Sequence, residues 1–318
     1  MTRPAAPGRR STAAGEDNPL RRSRVRIGER SVETLLLVAA LVSIATTVGI
    51  VVALGTPLGD FFSQVSIVEF LTGSAWTPLF AAKEYGVLPL VVATLSATVI
   101  AMVIAVPVGL GSATYLSEYA DDRVRRAVKP VLELLAGVPT VVYGFIALQF
   151  LNPILQDLWP GKRPDFQNIL VAGIAMGIMI TPTVASLSED AMSAVPNSLR
   201  QGAYALAASK MQVSTRVVFP AALSGIVAAL VLGVSRAIGE TMIVTIAGGL
   251  VSDRIHWNPV EAASTMTAYI ASAGSGDVPV GTLDYDTIFA VGALLFVLTF
   301  AMNALSIRLV RRFREVYE

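Results

Sequence analysis

Six long apolar runs punctuate this chain, at about residues 35–55, 87–116, 131–155, 168–187, 217–251 and 286–310. Each is long enough to cross a hydrocarbon core of about 30 Å, which takes about 20 helical residues. The pattern predicts an all-α fold: a polytopic membrane protein with six transmembrane helices over residues 31–318. Residues 1–30 are polar, rich in Pro, Gly and Ser, and carry eight Arg, so they read as a disordered basic tail. The first apolar run is too long for a signal-peptide core and has no small-x-small cleavage site after it, so it reads as an uncleaved span. Pro107, Pro139, Pro182 and Pro220 fall within spans. Such breaks are tolerated where neighbouring helices or a cavity satisfy the freed carbonyls. They fit a moving transporter, and they also fit ordinary membrane-helix composition. Two connecting segments are long, 56–86 and 252–285, and Pro259–Ala271 in the second is expected to form a short surface helix.

Composition supports the membrane reading. Hydrophobic residues make up 54% of the chain and charged ones 15%, against about 25% charged in a soluble domain. The mean hydropathy is +0.65. With the N-terminus in the cytoplasm, nineteen of the 24 basic residues fall on the cytoplasmic side, and Lys83, Lys162, Arg163 and Arg254 fall outside. This asymmetry obeys the positive-inside rule and places both termini in the cytoplasm. The one basic residue left unplaced is Arg236, inside the fifth run.

The candidate chemistry is sparse. There is no cysteine and a single histidine, His256. That leaves no thiolate metal site, little for a histidine-based one, and no catalytic constellation. No G-x-x-x-x-G-K-[ST] loop occurs, and Gly233–Thr241, the nearest lookalike, lacks the Lys. If ATP drives this protein, another chain hydrolyses it. Arg236 and Glu240 stand four apart, so on one continuous helix they would share a face. A lone charge at the bilayer centre costs about 2.5–3.5 kcal/mol on insertion scales. One reading is a self-satisfied structural pair. The other is an anion path, because the planar guanidinium fork suits tetrahedral oxyanions. Glu240 would then accept a hydrogen bond from a protonated oxyanion, favouring phosphate over sulfate. Ser235, Thr140 and Tyr143 are candidates to line the same path, although polar side chains in bundles often only bond neighbouring helices. Glu133 reads as interfacial, Glu189 and Asp190 as solvated, and His256 with Trp257 as part of an outer interface belt.

Between the fourth and fifth runs, Pro196 and the residues after it predict a short helix over about 197–211 on the cytoplasmic face. This segment resembles the E-A-A-x3-G-x9-I-x-L-P loop of bacterial ABC importer permeases. Starting at Gln201, the family's Gly falls at Ala207, its Ile at Val217 and its Leu-Pro at Phe219-Pro220. Spacing is kept, while Gln201, Gly202, Ala207, Val217 and Phe219 depart in identity. Leu135-Ala-Gly-Val-Pro-Thr-Val-Val-Tyr-Gly144, Ala185-Ser-Leu-Ser-Glu-Asp-Ala191 and Ser235-Arg-Ala-Ile-Gly-Glu-Thr241 look like the phosphate-specific ABC permeases. Phe70-Leu-Thr-Gly-Ser-Ala-Trp-Thr-Pro78 resembles their PstC-type subunit.

The resemblance covers roughly residues 30–315. It implies the type I importer permease fold in the cytoplasmic membrane and inorganic phosphate as cargo. It also implies three partners: a PstA-type second permease, a homodimeric ATPase that uses ATP and Mg, and a periplasmic or lipid-anchored phosphate-binding protein. No cofactor on this chain and no nucleic acid are implied. The resemblance ties Arg236 and Glu240 to phosphate passage and makes 197–211 the coupling helix. Ser198, Arg200, Gln201, Gly202, Ala203, Ala207 and Lys210 become its candidate ATPase-coupling positions. The alternatives are a permease for molybdate or sulfate, a self-sufficient secondary transporter, for which no inverted repeat is found, and a phosphate-sensing scaffold.

Overall fold

Helix α1 runs Ile27–Gln64. The computed structural model describes residues 27–161 and 163–313. Most of the basic tail expected over 1–30 therefore lies outside the described residues, as do Lys162 and Arg314. The chain divides into two units, one ending at Ala53 and one beginning at Leu54. In the first unit every described side chain from Arg30 to Ala53 is exposed. From Leu35 on, that stretch carries no charged side chain and is largely apolar, a surface suited to hydrocarbon rather than water.

The second unit is built on two helices, α3 (Leu88–Thr114) and α7 (Ile169–Ser193). Along α3 a small residue recurs every fourth position: Ala93, Ala97, Ala101, Ala105, Gly109 and Ala113, all buried. A spacing of four keeps them on one helix face. α7 answers with Gly173 and Gly177. A Cβ on Gly173 would lie 2.7 Å from Ile100 Cβ, and one on Gly177 would lie 2.9 Å from the Ala101 carbonyl oxygen. The two backbones approach because nothing stands between them, and the many close contacts that follow are what holds helices together in lipid. Met176, Met179 and Ile180 fill the same core.

α4 (Asp122–Ala136), α5 (Thr140–Ile146) and α6 (Asn152–Leu158) follow α3. The third run is thus not one helix over 131–155. Pro139 disfavours a helical conformation at Val138, so the chain breaks there, and α4 becomes a separate amphipathic helix. The fifth run, expected over 217–251, is also interrupted. α8 (Asn197–Ala205), α9 (Lys210–Val213), a wide turn at Ser214–Val218, α10 (Phe219–Ala221) and α11 (Leu223–Ile238) come in sequence. The chain bends by 70° between Ala221 and Leu223, just after Pro220, which cannot donate to the preceding turn. A second break follows at Gly239, before a helical turn at Val244–Gly248. The segment Pro259–Ala271 is not a helix from its start; α12 runs Met266–Gly274, and α13, Leu283–Phe313, closes the chain.

Among the described residues five helices are long and apolar enough to span a membrane, and six if the bent pair counts as one span. Among the described residues the only β-type contact is an isolated bridge between Trp76 and Tyr85. At one end of the second unit, α8 and α9 gather with the ends of α3 and α7 around Met192, Val195, Val213 and Ile226. At the other end lie α2 (Ile67–Thr72), residues 73–87 and α12. Phe70, Trp76 and Tyr269 meet there edge to face.

Candidate functional site

Arg236 lies in the last turn of α11, where the helix dipole favours a cation. One guanidinium nitrogen donates to Thr183 Oγ1 at 3.2 Å and another to the Ala136 carbonyl oxygen at 3.4 Å. Ala136 is the last residue of α4, so two helix C-termini converge on one cation. Tyr143 serves the same break: its hydroxyl donates to the Leu135 carbonyl at 3.0 Å. Thr140 stands half-buried in the first turn of α5. Arg236 takes part in no ion pair among the described residues.

Glu240 does not share a helix face with Arg236. α11 ends at Ile238 with Gly239 as its cap, so Glu240 sits beyond the helix. Only 8% of it is exposed. Its Oε1 accepts from the backbone N–H groups of Met242 and Ile243 at 3.0 and 3.2 Å, capping the turn that follows. Thr267 Oγ1 donates to its carbonyl oxygen at 2.6 Å. A helix that stops at glycine leaves orphan donors in the next turn, and this carboxylate satisfies two of them. Ser235 is engaged elsewhere, donating to Asn303 Oδ1 on α13 at 3.0 Å.

At the other candidate site, α8 presents Ser198, Gln201, Gly202 and Tyr204 to solvent, with Leu206 86% exposed just beyond its end. Leu199, Ala203 and Ala208 pack inward. The helix ends in a paired-bond motif: Ala208 N–H donates to the Ala203 carbonyl at 3.2 Å, and Ala207 N–H to that of Tyr204 at 2.9 Å. This motif needs a left-handed residue, normally Gly, and Ala207 adopts it with φ 58°. It is the only described non-glycine residue with positive φ. Ser209 and Gln212 then form a reciprocal capping box that starts α9. Lys210 lies with its ammonium 4.9 Å from the centroid of the Tyr119 ring, and Arg200 is turned into the bundle.

Residues 105–315 match the family described as binding-protein-dependent transport system inner membrane component. The chain belongs to this family. It is 36% identical over 270 residues to the probable ABC transporter permease protein YqgH of Bacillus subtilis (strain 168), covering 84% of this chain and 85% of that one. It is 33% identical over 255 residues to the phosphate transport system permease protein PstC of Mesorhizobium japonicum, covering 75% and 76%. Its fold is that of a bacterial alginate ABC transporter chain (TM-score 0.62, 16% identity, 92% of this chain and 99% of that one). It also matches a chain of the MetNI methionine ABC transporter (TM-score 0.52, 20% identity, 72% and 95%). The chain is therefore a transport subunit of ABC importer permease fold, a multi-pass inner-membrane protein and not an enzyme.

The permease has a second buried charge centre that its sequence concealed. Glu189, expected to be solvated, has a side chain only 1% exposed. It pairs with Arg125 and with Lys129, the latter at 2.8 Å, and accepts from Ser193 Oγ at 2.8 Å. Asp190 also pairs with Lys129. These bonds fasten α4 to the end of α7. Periodicity within α7 could not reveal them, because the cations arrive from a helix some 60 residues earlier. Thr183 was missed for a similar reason: a threonine beside Pro182 in an apolar helix is unremarkable until Arg236 is placed against it.

Proposed function

We propose that this chain is one of two membrane-spanning subunits of an ABC importer for inorganic phosphate, driven by ATP hydrolysis on a separate subunit. The second membrane subunit is a PstA-type permease, the ATPase is a homodimer, and a phosphate-binding protein delivers the cargo from outside. The observation that carries this reading is Arg236. It is a guanidinium held by a hydroxyl and a carbonyl inside an apolar bundle, with no carboxylate among the described residues paired to it. Such a group attracts an anion and can offer a planar pair of donors to two of its oxygens. Among the oxyanions, phosphate is favoured as the cargo because similar chains are named phosphate transport system permease proteins.

Arg236, with Thr183 beside it, is the anion's waypoint, and Thr140 and Tyr143 flank it at the α4–α5 break. Glu240 contributes its carboxylate to the local fold as well as its charge to the path. The exposed face of α8, with Ser198, Gln201, Gly202 and Leu206, receives the ATPase. Ala203 and Ala207 shape that face, and Arg200 and Lys210 brace it from behind. Both termini and α8 lie in the cytoplasm. ATP binding in trans moves α8 and rocks the two permeases between inward- and outward-facing forms.

The test is ATP-dependent uptake of phosphate by the reconstituted complex, with sulfate and molybdate as competitors. Arg236→Ala is expected to abolish uptake at equal protein level, and uptake left intact would overturn the site assignment. Glu240→Gln keeps an oxygen that can accept from Met242 and Ile243, so the complex is expected to assemble. A changed phosphate-over-sulfate ratio then reports the lost charge, and an unchanged ratio removes Glu240 from selectivity.

A further inference from the structure

We infer that Arg200 and Glu118 form the tie that carries movement of α8 into α3 and α7, with Glu118 as a positioning residue for coupling. The inference rests on the ATP-driven reading above but not on the identity of the cargo. Arg200 stands in α8, yet its side chain is only 15% exposed, and that of Glu118 only 5%. One guanidinium nitrogen donates to Glu118 Oε1 at 2.9 Å and to the Met192 carbonyl at 2.8 Å. The other donates to the Val195 carbonyl. Met192 is in the last turn of α7, where a cation is favoured, and its carbonyl also accepts from the Val195 N–H at 3.2 Å. Glu118 belongs to the wide turn Tyr115–Tyr119 that extends α3, and Ser117 Oγ also bonds its Oε1 at 3.0 Å.

One side chain thus joins three elements. The adjoining residue, Tyr119, takes the Lys210 ammonium of α9 on its ring. The same turn is therefore gripped from both sides of the Leu206–Ser209 break. The apolar contacts of Leu199 and Ala203 with the bundle have no directional preference and can slide. A buried fork of charge-assisted hydrogen bonds has fixed geometry and cannot. A push on the exposed face of α8 accordingly reaches α3 and α7, the two helices that form the centre of the bundle, through Arg200 and Glu118.

The variant is Glu118→Gln, which keeps the shape and an acceptor but removes the charge. In proteoliposomes holding the full complex, cargo moved per ATP hydrolysed is expected to fall about tenfold, the scale of one lost charge-assisted hydrogen bond. Glu118→Asp is expected to recover part of that ratio. If Glu118 only holds the fold, Glu118→Gln lowers the yield of complex while the ratio in assembled complexes stays at the unsubstituted value, and the inference is overturned.

A second measurement does not depend on the variant folding or on the cargo. The chain has no cysteine, so spin labels can be placed at Asp121→Cys and Ala205→Cys alone. Their separation is expected to change by no more than about 2 Å between nucleotide-free and ATP-bound complex, while a slide of α8 would move it by about 5 Å or more. A change of the larger size overturns the tie. ATP that leaves every part of the unsubstituted complex unmoved counts instead against the ATP-driven reading.

Discussion

A guanidinium in an apolar span must recover what it loses in hydration. At Arg236 the recovery comes from two helix C-termini and a hydroxyl, each helix end contributing about 0.3–1 kcal/mol where exposed and up to about 2 kcal/mol where partly buried. Among the described residues no carboxylate completes the set, and the proposal assigns the charge so left to a ligand. Arg236 stands out in the sequence, since it is the one basic residue that the topology leaves unplaced. Its partners were not legible there: the four-residue spacing to Glu240 implies a shared face only while the helix continues, and Gly239 ends it. Ala207 shows the reverse case. Alignment with the loop motif placed a glycine there, and the structure shows why, because the site is left-handed. An alanine in that conformation costs about 1–2 kcal/mol, partly offset by the greater unfolded-state freedom of glycine. Ala207→Gly is therefore expected to stabilise the permease by about 0.5–1 kcal/mol and Ala207→Val to destabilise it. Thermal unfolding in detergent measures both, and a glycine variant no more stable than the parent would refute the strain. The Glu261 carboxyl is held below the usual range, first by its hydrogen bond with His256, which bonds Asp253 through its other nitrogen. A lowered folded pKa adds stability that is present above the ordinary carboxylate value and is lost as pH falls through the folded one. Protection of the Ile169 and Leu170 amides, bonded to the Glu261 and Pro259 carbonyls, should therefore persist into mildly acid solution. With His256→Gln it should fail at higher pH, and an identical onset in both proteins would exclude the contact.

Among the elements, α3 and α7 depend on what their contact face lacks. In lipid there is little hydrophobic gain from joining two apolar helices, so association relies on dense contacts and close approach. The alanine row on α3 could be read from its spacing of four, and Gly173 and Gly177 from theirs. That the two rows face each other could not, because hydropathy does not say which of six spans are neighbours. Gly177→Leu puts a side chain where even a Cβ meets the Ala101 carbonyl oxygen at 2.9 Å. Backbone cannot yield as a side-chain tip can, and overpacking of this kind costs about 1–3 kcal/mol or more. The variant is expected to lower the unfolding temperature and the yield of folded protein in detergent. Gly55→Leu, where nothing lies within 4 Å, is the control expected to do neither. Leu is the better helix former at both positions, so equal loss from both would show that added bulk anywhere in a span, not the α3–α7 contact, governs the effect. The breaks in the third and fifth runs follow the same logic. Pro139 and Pro220 announce them in the sequence, but hydropathy carried across them. Only the partners of the freed groups, Arg236 and Tyr143 at the first break and Glu240 beyond α11, show that the interruptions are built into the site.

For the whole molecule, function depends on which end faces the cytoplasm, and that is a question of charge. One end of the second unit carries Arg123, Arg125, Arg126, Lys129, Arg200, Lys210 and Arg216, and α8 with its exposed Leu206. The opposite end carries Lys83, Arg163 and Arg254 with the aromatic cluster about Trp76. Basic residues resist translocation, and on that ground the proposed orientation puts the first end inside. This orientation also gives the proposed machine its sense, with the ATPase surface toward ATP and the second end toward the arriving cargo. The cysteine-free chain allows a direct check. A cysteine at Ala205 is expected to react with a membrane-impermeant maleimide only in inverted vesicles, and one at Asn258 only in right-side-out vesicles or intact spheroplasts. The opposite pattern would place α8 outside, beyond the reach of any cytoplasmic ATPase, and would remove the mechanical basis of the proposal even if Arg236 still bound anions. Labelling of both sites from one side would mean that an even number of crossings separates Ala205 from Asn258. The bent segment Lys210–Ile238 would then turn back within the membrane instead of spanning it. The 70° bend would permit that path, but α12 lies with Trp76 at the end of the second unit opposite α8, which argues against it. Residues 242–265 connect α11 directly to the end that holds Trp76, through the bonds of Ser252 with Trp76, so the chain has crossed by the time it reaches them.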